Sequence, residues 1–231
     1  LFQGEHGVAD VNLNLDFQIS FDYDGLPGRM PWKKFLKDFG TDGKSGIKFD
    51  RVLQYVTFPR VEVVGSGRQF DLARDAEAQS GSSQVGQLGR RDMTFFFKWL
   101  WDKGVRHIIR VTVEDSGDAG KRVHSDEAIQ TSLEKFIVEH LDWKKTDLDP
   151  DTILHVSSRV ETKTGTGPDR QLTHLDLRWG GSNAVLRGWS EPEGLAMLPH
   201  LKKIVLFKPP ADKVRDHTLF SINKTASLLG N

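Results

Sequence analysis

A chain of 231 residues with 37% hydrophobic and 28% charged content is long enough to bury most of its apolar surface without staples, and its balance is that of a globular protein. Its 32 basic residues are matched by 32 acidic ones, so no global excess draws it to nucleic acid or to an anionic membrane. The absence of cysteine excludes disulfides, thiolate nucleophiles and cysteine-held zinc, and fits a reducing compartment, while no apolar run approaches the roughly 20 residues of a membrane-spanning helix.

The opening Leu1-Phe2-Gln3-Gly4 reads as the remnant of a viral 3C-type protease tag site, and the chain is expected to be a piece of a longer protein. Residues 11–23 alternate apolar and polar, which places Val11, Leu13, Leu15, Phe17, Ile19 and Phe21 on one face of a strand. Asp24-Gly25-Leu26-Pro27-Gly28 breaks it. Trp32, Phe35, Leu36 and Phe39 then recur at helical spacing, with Gly40 as the C-cap. A second extended stretch, 52–64, contains Pro59, which argues for an edge position or a bulge. Residues 65–90 are polar and rich in glycine and serine, the composition of a mobile loop. Asp92 is placed to cap a helix over 92–103. Its Met93, Phe95, Phe96, Phe97, Trp99, Leu100 and Trp101 cover most of the circumference, so it should be buried on more than one side.

From residue 105 the pattern becomes α/β. Val105 to Val113 is a strand rich in β-branched residues, followed by a polar loop from Gly117 to Val123. Ser125 caps a helix presenting Ile129, Leu133, Phe136 and Ile137 on one face. Residues 141–148 form a short extended stretch. Pro150 starts a turn of helix carrying Ile153, Leu154 and Val156, and a Gly/Thr/Pro loop follows at 162–169. Residues 172–179 are a strand, Asn183 to Leu198 a helix with a fresh turn at Pro192, and 198–206 the last clear strand.

Two of these strands share a spacing, Leu172-x-x-Leu175-x-Leu177 and Leu198-x-x-Leu201-x-x-Ile204-x-Leu206, and both resemble the strand segment of a leucine-rich repeat. Val105-x-x-Ile108-x-x-Val111-x-Val113 is a looser version. Such strands recur about every 30 residues. One strand–helix unit cannot bury its apolar face alone, whereas parallel neighbours bury a continuous core, and right-handed crossovers put their helices on one side. The expected fold class is therefore α/β: a mostly parallel, leucine-rich-repeat-like sheet with helices on one side and an N-terminal strand and helix extension. A compact two- or three-layer sandwich is the alternative. Gly180 stands where the asparagine ladder of a repeat would be. The domain organisation expected is a tag remnant (1–4), an N-terminal segment packed on the main domain (5–64), a flexible loop (65–90), the repeat-like domain (91–207) and a C-terminal tail (208–231).

Alternation exposes Arg110, Thr112 and Glu114, then Lys144 and Thr146, then His174, Asp176 and Arg178, then Lys203 on the uncovered sheet face. Arg110, Thr112, Lys144, His174, Asp176, Arg178 and Lys203 are the candidate binding residues. That surface is polar, mixed in sign and short of aromatic anchors, which suits a protein partner better than a small apolar ligand.

Catalytic signatures are missing. There is no Gly-x-x-x-x-Gly-Lys-Ser/Thr, no His-Glu-x-x-His and no Gly-x-Ser-x-Gly. His124-Ser125-Asp126 has the residue types of a serine triad, but adjacent residues cannot converge as a triad does, and a helix cap explains Ser125. The histidines lack metal-ligand spacing, and Asp147-Leu148-Asp149-Pro150-Asp151 lacks the glycine and distal glutamate of a calcium loop. No catalytic residue, metal or cofactor is expected. Two rivals remain open: a hydrolase using His174, Asp176 and Arg178 in a deep pocket, and a nucleic-acid binder using Lys144, Lys145, Arg178, Lys202 and Lys203.

Residues 91–100 (RDMTFFFKWL), 123–129 (VHSDEAI), 141–148 (LDWKKTDL) and 178–195 (RWGGSNAVLRGWSEPEGL) resemble the N-terminal region of large intracellular proteins of filamentous fungi, where it precedes a subtilisin-like serine protease domain. The resemblance spans about residues 47–207 and is most specific at 178–195. It implies a cytoplasmic regulatory or recognition region whose partner is another protein or its own protease domain. It implies no catalytic residue, because the protease's Asp, His-Gly-Thr and Gly-Thr-Ser motifs do not occur in this chain.

Overall fold

The computed structural model describes residues 17–41, 46–65, 89–117, 122–156, 171–208 and 220–223. In chain order these hold β1 (Phe17–Gln18), β2 (Ser20–Asp22), β3 (Arg29–Pro31), α1 (Trp32–Phe39), β4 (Lys48–Phe49), β5 (Val52–Phe58), β6 (Glu62–Val64), α2 (Asp92–Asp102), β7 (His107–Val113), α3 (Asp126–Leu133), β8 (Ile137–Trp143), α4 (Pro150–Val156), β9 (His174–Arg178), α5 (Asn183–Ser190), a 3-10 turn (Leu195–Met197), β10 (Lys203–Phe207) and β11 (Phe220–Asn223). The expected tag remnant, residues 11–16 of the first strand, 66–88 of the loop, the 162–169 loop and most of the tail lie outside the described residues.

The main sheet has seven strands in the order β11-β10-β9-β8-β7-β5-β2. From β2 to β10 every pairing is parallel, and β11 adds antiparallel on the far edge. The chain moves one place across the sheet at each step and does not reverse between β2 and β10. Right-handed crossovers in such a progression bring the connections to one side of the sheet. The progression also lacks the reversal point at which doubly wound sheets open a nucleotide crevice.

Register repeats the same apolar ladder in each strand. Val56, Val111, Leu141, Leu175 and Ile204 lie side by side, and Phe58, Val113 and Trp143 make a parallel row. These residues are buried except for the half-buried Ile204, and with Phe96, Phe97, Leu100, Ile129, Leu133, Ile153 and Leu154 of α2, α3 and α4 they form one core. Its N-terminal half is aromatic: Phe35 meets Trp99 edge-on with ring centroids 4.9 Å apart, and Phe58 lies 5.0 Å from Phe96. Burial pushes the Tyr23 phenol up to about 12, while its hydroxyl donates to the Pro27 carbonyl at 3.1 Å.

Several expectations are corrected. β5 is not an edge strand: it lies between β2 and β7, and Pro59 follows its last residue, where no ladder N–H is required. The sheet thus runs across the expected 5–64 and 91–207 segments. Alternation over 17–23 breaks at Ile19, because β1 pairs with β4 and β2 with β5. Phe17 and Ile19 are consequently exposed while Phe21 and Tyr23 turn inward. Helix α3 ends at Leu133, and Ile137 belongs to β8, which covers 137–143 where 141–148 was expected. Val138-x-x-Leu141-x-Trp143 has the ladder spacing, but Glu139, His140 and Asp142 masked it as strand. Asp92 is not a cap: it is the first residue of α2, and its carboxylate accepts from the Val63 N–H at 2.7 Å and from Arg90 Nε at 2.9 Å. The helix over 183–198 stops at Ser190, since the residue before Pro192 is held extended. Ser125 does cap α3, accepting from the Ala128 N–H at 3.2 Å.

Candidate functional site

The face opposite the core is built by the residues between the apolar ladders. One row runs Tyr55, Arg110, His140, His174 and Lys203, each the register partner of the next. The adjoining row runs Thr57, Thr112, Asp142, Asp176 and Val205. Glu114, Lys144, Arg178 and Phe207 extend the face toward the strand ends, where Arg178 pairs in register with Phe207. Parallel strands about 4.8 Å apart set the spacing along each row.

These side chains are tied together. Asp142 is only 4% exposed; it takes an ion pair from Arg178 and lies 3.9 Å from Arg110 Nη2. Asp176, 8% exposed, is met by His140 Nε2 at 3.3 Å. Burial would push the Asp176 carboxyl up, but the hydrogen bond and charge of His140, with Arg178 and Arg110 nearby, hold it below the usual carboxylate range. His174 is pushed below its ordinary value by burial, by His140 5.5 Å away between ring centroids, and by Lys203 and Lys202, against the opposing pull of Asp176. Lys144 Nζ donates to Glu114 at 2.9 Å, and the Arg178 guanidinium stacks 4.5 Å above the Phe207 ring.

All seven residues expected on this face line it: Arg110, Thr112, Lys144, His174, Asp176, Arg178 and Lys203. Thr146 instead bridges to Arg178 beyond the strand, after which Asp147 takes a left-handed φ of 55° and its carboxylate accepts the Gly180 N–H at 2.7 Å. Sequence reasoning missed His140, because β8 was placed four residues late, and left out Asp142, although the expected stretch and its alternation included it. It also missed Tyr55 and Thr57, because β5 was read as peripheral. The signal was present as Leu53-x-x-Val56-x-Phe58, the same spacing as the recognised strands. The face is not short of anchors: Tyr55 is 42% exposed, Val52 and Ile109 are each 40% exposed beside it, and Phe207 lies under Arg178.

The residues of the two rival readings are divided among other partners. Asp176 engages His140 rather than His174, and Arg178 engages Asp142. A cleft of about 660 Å³ lies at the β2 edge, lined by Ser20, Phe21, Asp22, Leu26, Phe39 and Phe49 among others, far from His174 on β9. Of the basic set, Lys145 leaves the face to donate to the His124 carbonyl at 3.0 Å and to Asp126 at 2.9 Å.

A second acid–histidine pair sits beside the strand ends. Asp115 Oδ1 is 2.9 Å from His124 Nδ1, and Asp115 also accepts from the His124 backbone N–H and from the Trp143 indole N–H at 2.9 Å. Both residues are enclosed, so the pair ties the segment after β7 to the entry of α3 and to the core. Among the described residues no three metal-ligating side chains cluster, and no helix is long and apolar enough to cross a membrane.

The class these observations define is an α/β domain whose mostly parallel sheet is, among the described residues, covered by helices on one face and open on the other. Comparison with protein-family models, with curated proteins and with solved structures finds no match.

Proposed function

We propose that this chain is a non-catalytic recognition domain, a short leucine-rich-repeat-like array whose open sheet face docks a protein partner. The carrying observation is the side-by-side row Tyr55, Arg110, His140, His174 and Lys203, set on strands whose inward residues repeat one apolar spacing. Stacked units of that kind present a broad, shallow, polar surface, here with exposed apolar anchors at the Tyr55 end, the anatomy of a protein-binding patch. The one-directional order of β2 to β10 supports the repeat-like reading over a sandwich.

The resemblance to fungal regions preceding a subtilisin-like protease supports a cytoplasmic setting. There the face engages either a separate protein or the downstream protease domain, restraining or targeting it. The test is crosslinking and pull-down with the full-length protein, wild type against Arg110→Glu/Lys203→Glu, together with protease activity with and without this region. Capture lost in the variant is the expected result. Unchanged activity together with capture indifferent to the face overturns the reading.

A further inference from the structure

The open face divides its charges by depth, and we infer that its partner is a protein segment that sets an apolar side chain on the Tyr55 patch and carboxylates along the Arg110–Lys203 row. The inference rests on the recognition reading above and adds the chemistry of what is recognised.

The acids of the face lie low and are already used. Asp142 and Asp176 are nearly enclosed, Asp142 under Arg178 and Arg110, Asp176 against His140. Glu114 is taken by Lys144. The cations stand above them: the Arg110 side chain is 50% exposed, and Lys202 and Lys203 are exposed. Solvent therefore meets positive charge along this row although the whole chain is neutral. Carboxylates arriving there exchange one hydration shell for charged donors whose own anions are held beneath, so attraction is gained without breaking the buried pairs.

The other end of the row is apolar. Tyr55 is the register partner of Arg110, with Val52, Ile109 and Ile19 exposed nearby. The stretch from Tyr55 to Lys203 crosses five strands, about 19 Å, which roughly six extended residues span. A segment laid across the strands thus needs an aliphatic or aromatic residue at one end and acids at the other. A nucleic-acid backbone fits less well. It offers nothing to the apolar end, and Glu139 interrupts the adjoining positions with its side chain 37% exposed.

The test selects binders from a displayed library of random peptides of roughly 12 residues, twice the span of the row, using the whole chain as bait. Affinities of recovered peptides are then measured by fluorescence anisotropy, with labelled oligo(dT) as a separate arm. Enrichment of acidic–apolar peptides is expected, with affinity falling as salt rises. Arg110→Glu/Lys203→Glu should weaken binding by about tenfold or more, Tyr55→Ala should weaken it, and Lys37→Glu on α1 should leave it unchanged. Thermal melts of each variant confirm folding. Peptides of another composition that bind through the open face, or tighter binding of oligo(dT), overturn the inference. The first of these outcomes leaves protein recognition standing. No enrichment, or binding indifferent to these substitutions, sinks both.

Discussion

Two aspartate–histidine pairs, one beside the strand ends and one on the open sheet face, lie in opposite surroundings. Asp115 and His124 are 0% and 1% exposed, 2.9 Å apart, and every contact of Asp115 is internal: the His124 ring, the His124 backbone N–H and the Trp143 indole. Asp176 and His140 are 3.3 Å apart on the open face, and the His140 side chain keeps 22% of its surface exposed. The first pair closes a loop on the core, so its chemistry is spent on architecture. The second holds two rows of a surface in place while leaving imidazole and neighbouring cations in contact with solvent. Residue type does not separate an enclosed pair from one that reaches the surface; the depth at which the backbone delivers it does.

The largest expected effect follows from that difference. Asp115→Ala strands two buried N–H donors and a buried imidazole, and should cost about 3 kcal/mol or more in urea unfolding. Asp176→Ala removes one acceptor whose partner, His140, still reaches solvent, and should cost about 1 kcal/mol. Equal losses would break the comparison.

Gly180→Ala is the next in size. A Cβ there would meet the Asp147 carboxyl carbon and Thr146 Cγ2, each at 3.1 Å, just where the Asp147 carboxylate accepts the Gly180 N–H. The expected loss is about 1–3 kcal/mol. Because Gly180 follows Arg178 by two residues, peptide binding should fall too, whereas a purely architectural defect at Asp115 should lower stability alone in the fraction that stays folded. Urea melts and anisotropy on the same samples separate the two.

Much of this was legible in the sequence, and the failures have one physical origin. Leu172-x-x-Leu175-x-Leu177 and Leu201-x-x-Ile204-x-Leu206 announce strands because their inward positions are leucine and isoleucine. Val138-x-x-Leu141-x-Trp143 keeps the spacing but places Glu139, His140 and Asp142 between, residues that local preference assigns elsewhere. Tertiary pairing with β7 and β9 overrides that preference, and it does so where the face carries its most closely coupled groups. Asp115 could not be found from the sequence at all, since its partner His124 lies across a loop and its other partner, Trp143, on the next strand.

Acid should act on both pairs in one direction. The Asp115 carboxyl, which burial alone would raise, is held below its ordinary 3.8 by the hydrogen bond and charge of His124 and by the Trp143 N–H, and Asp176 is held low as well. A depressed carboxyl gives stability that is present above the ordinary value and is lost as pH falls through the folded one. His174, pushed below 6.5, adds a smaller loss as pH drops beneath that value, because the unfolded chain takes the proton more readily. Unfolding free energy measured against pH should thus fall gently below about 6.5 and steeply below about 4. Asp115→Asn should flatten the lower limb more than Asp176→Asn does, and the reverse order would reverse the roles assigned to the pairs.

The smallest effect is the sharpest test of the open face. Arg110 and Lys203 stand above the acids, their charges turned to solvent, and no apolar ladder depends on them. Lys203→Glu should leave unfolding free energy within about 0.5 kcal/mol of wild type, as substitutions at unburied positions do. Arg110→Glu faces Asp142 at short range and should cost slightly more. A large stability loss in Lys203→Glu would mean that the row is part of the architecture, like Asp115 and His124, rather than a surface held ready for another chain.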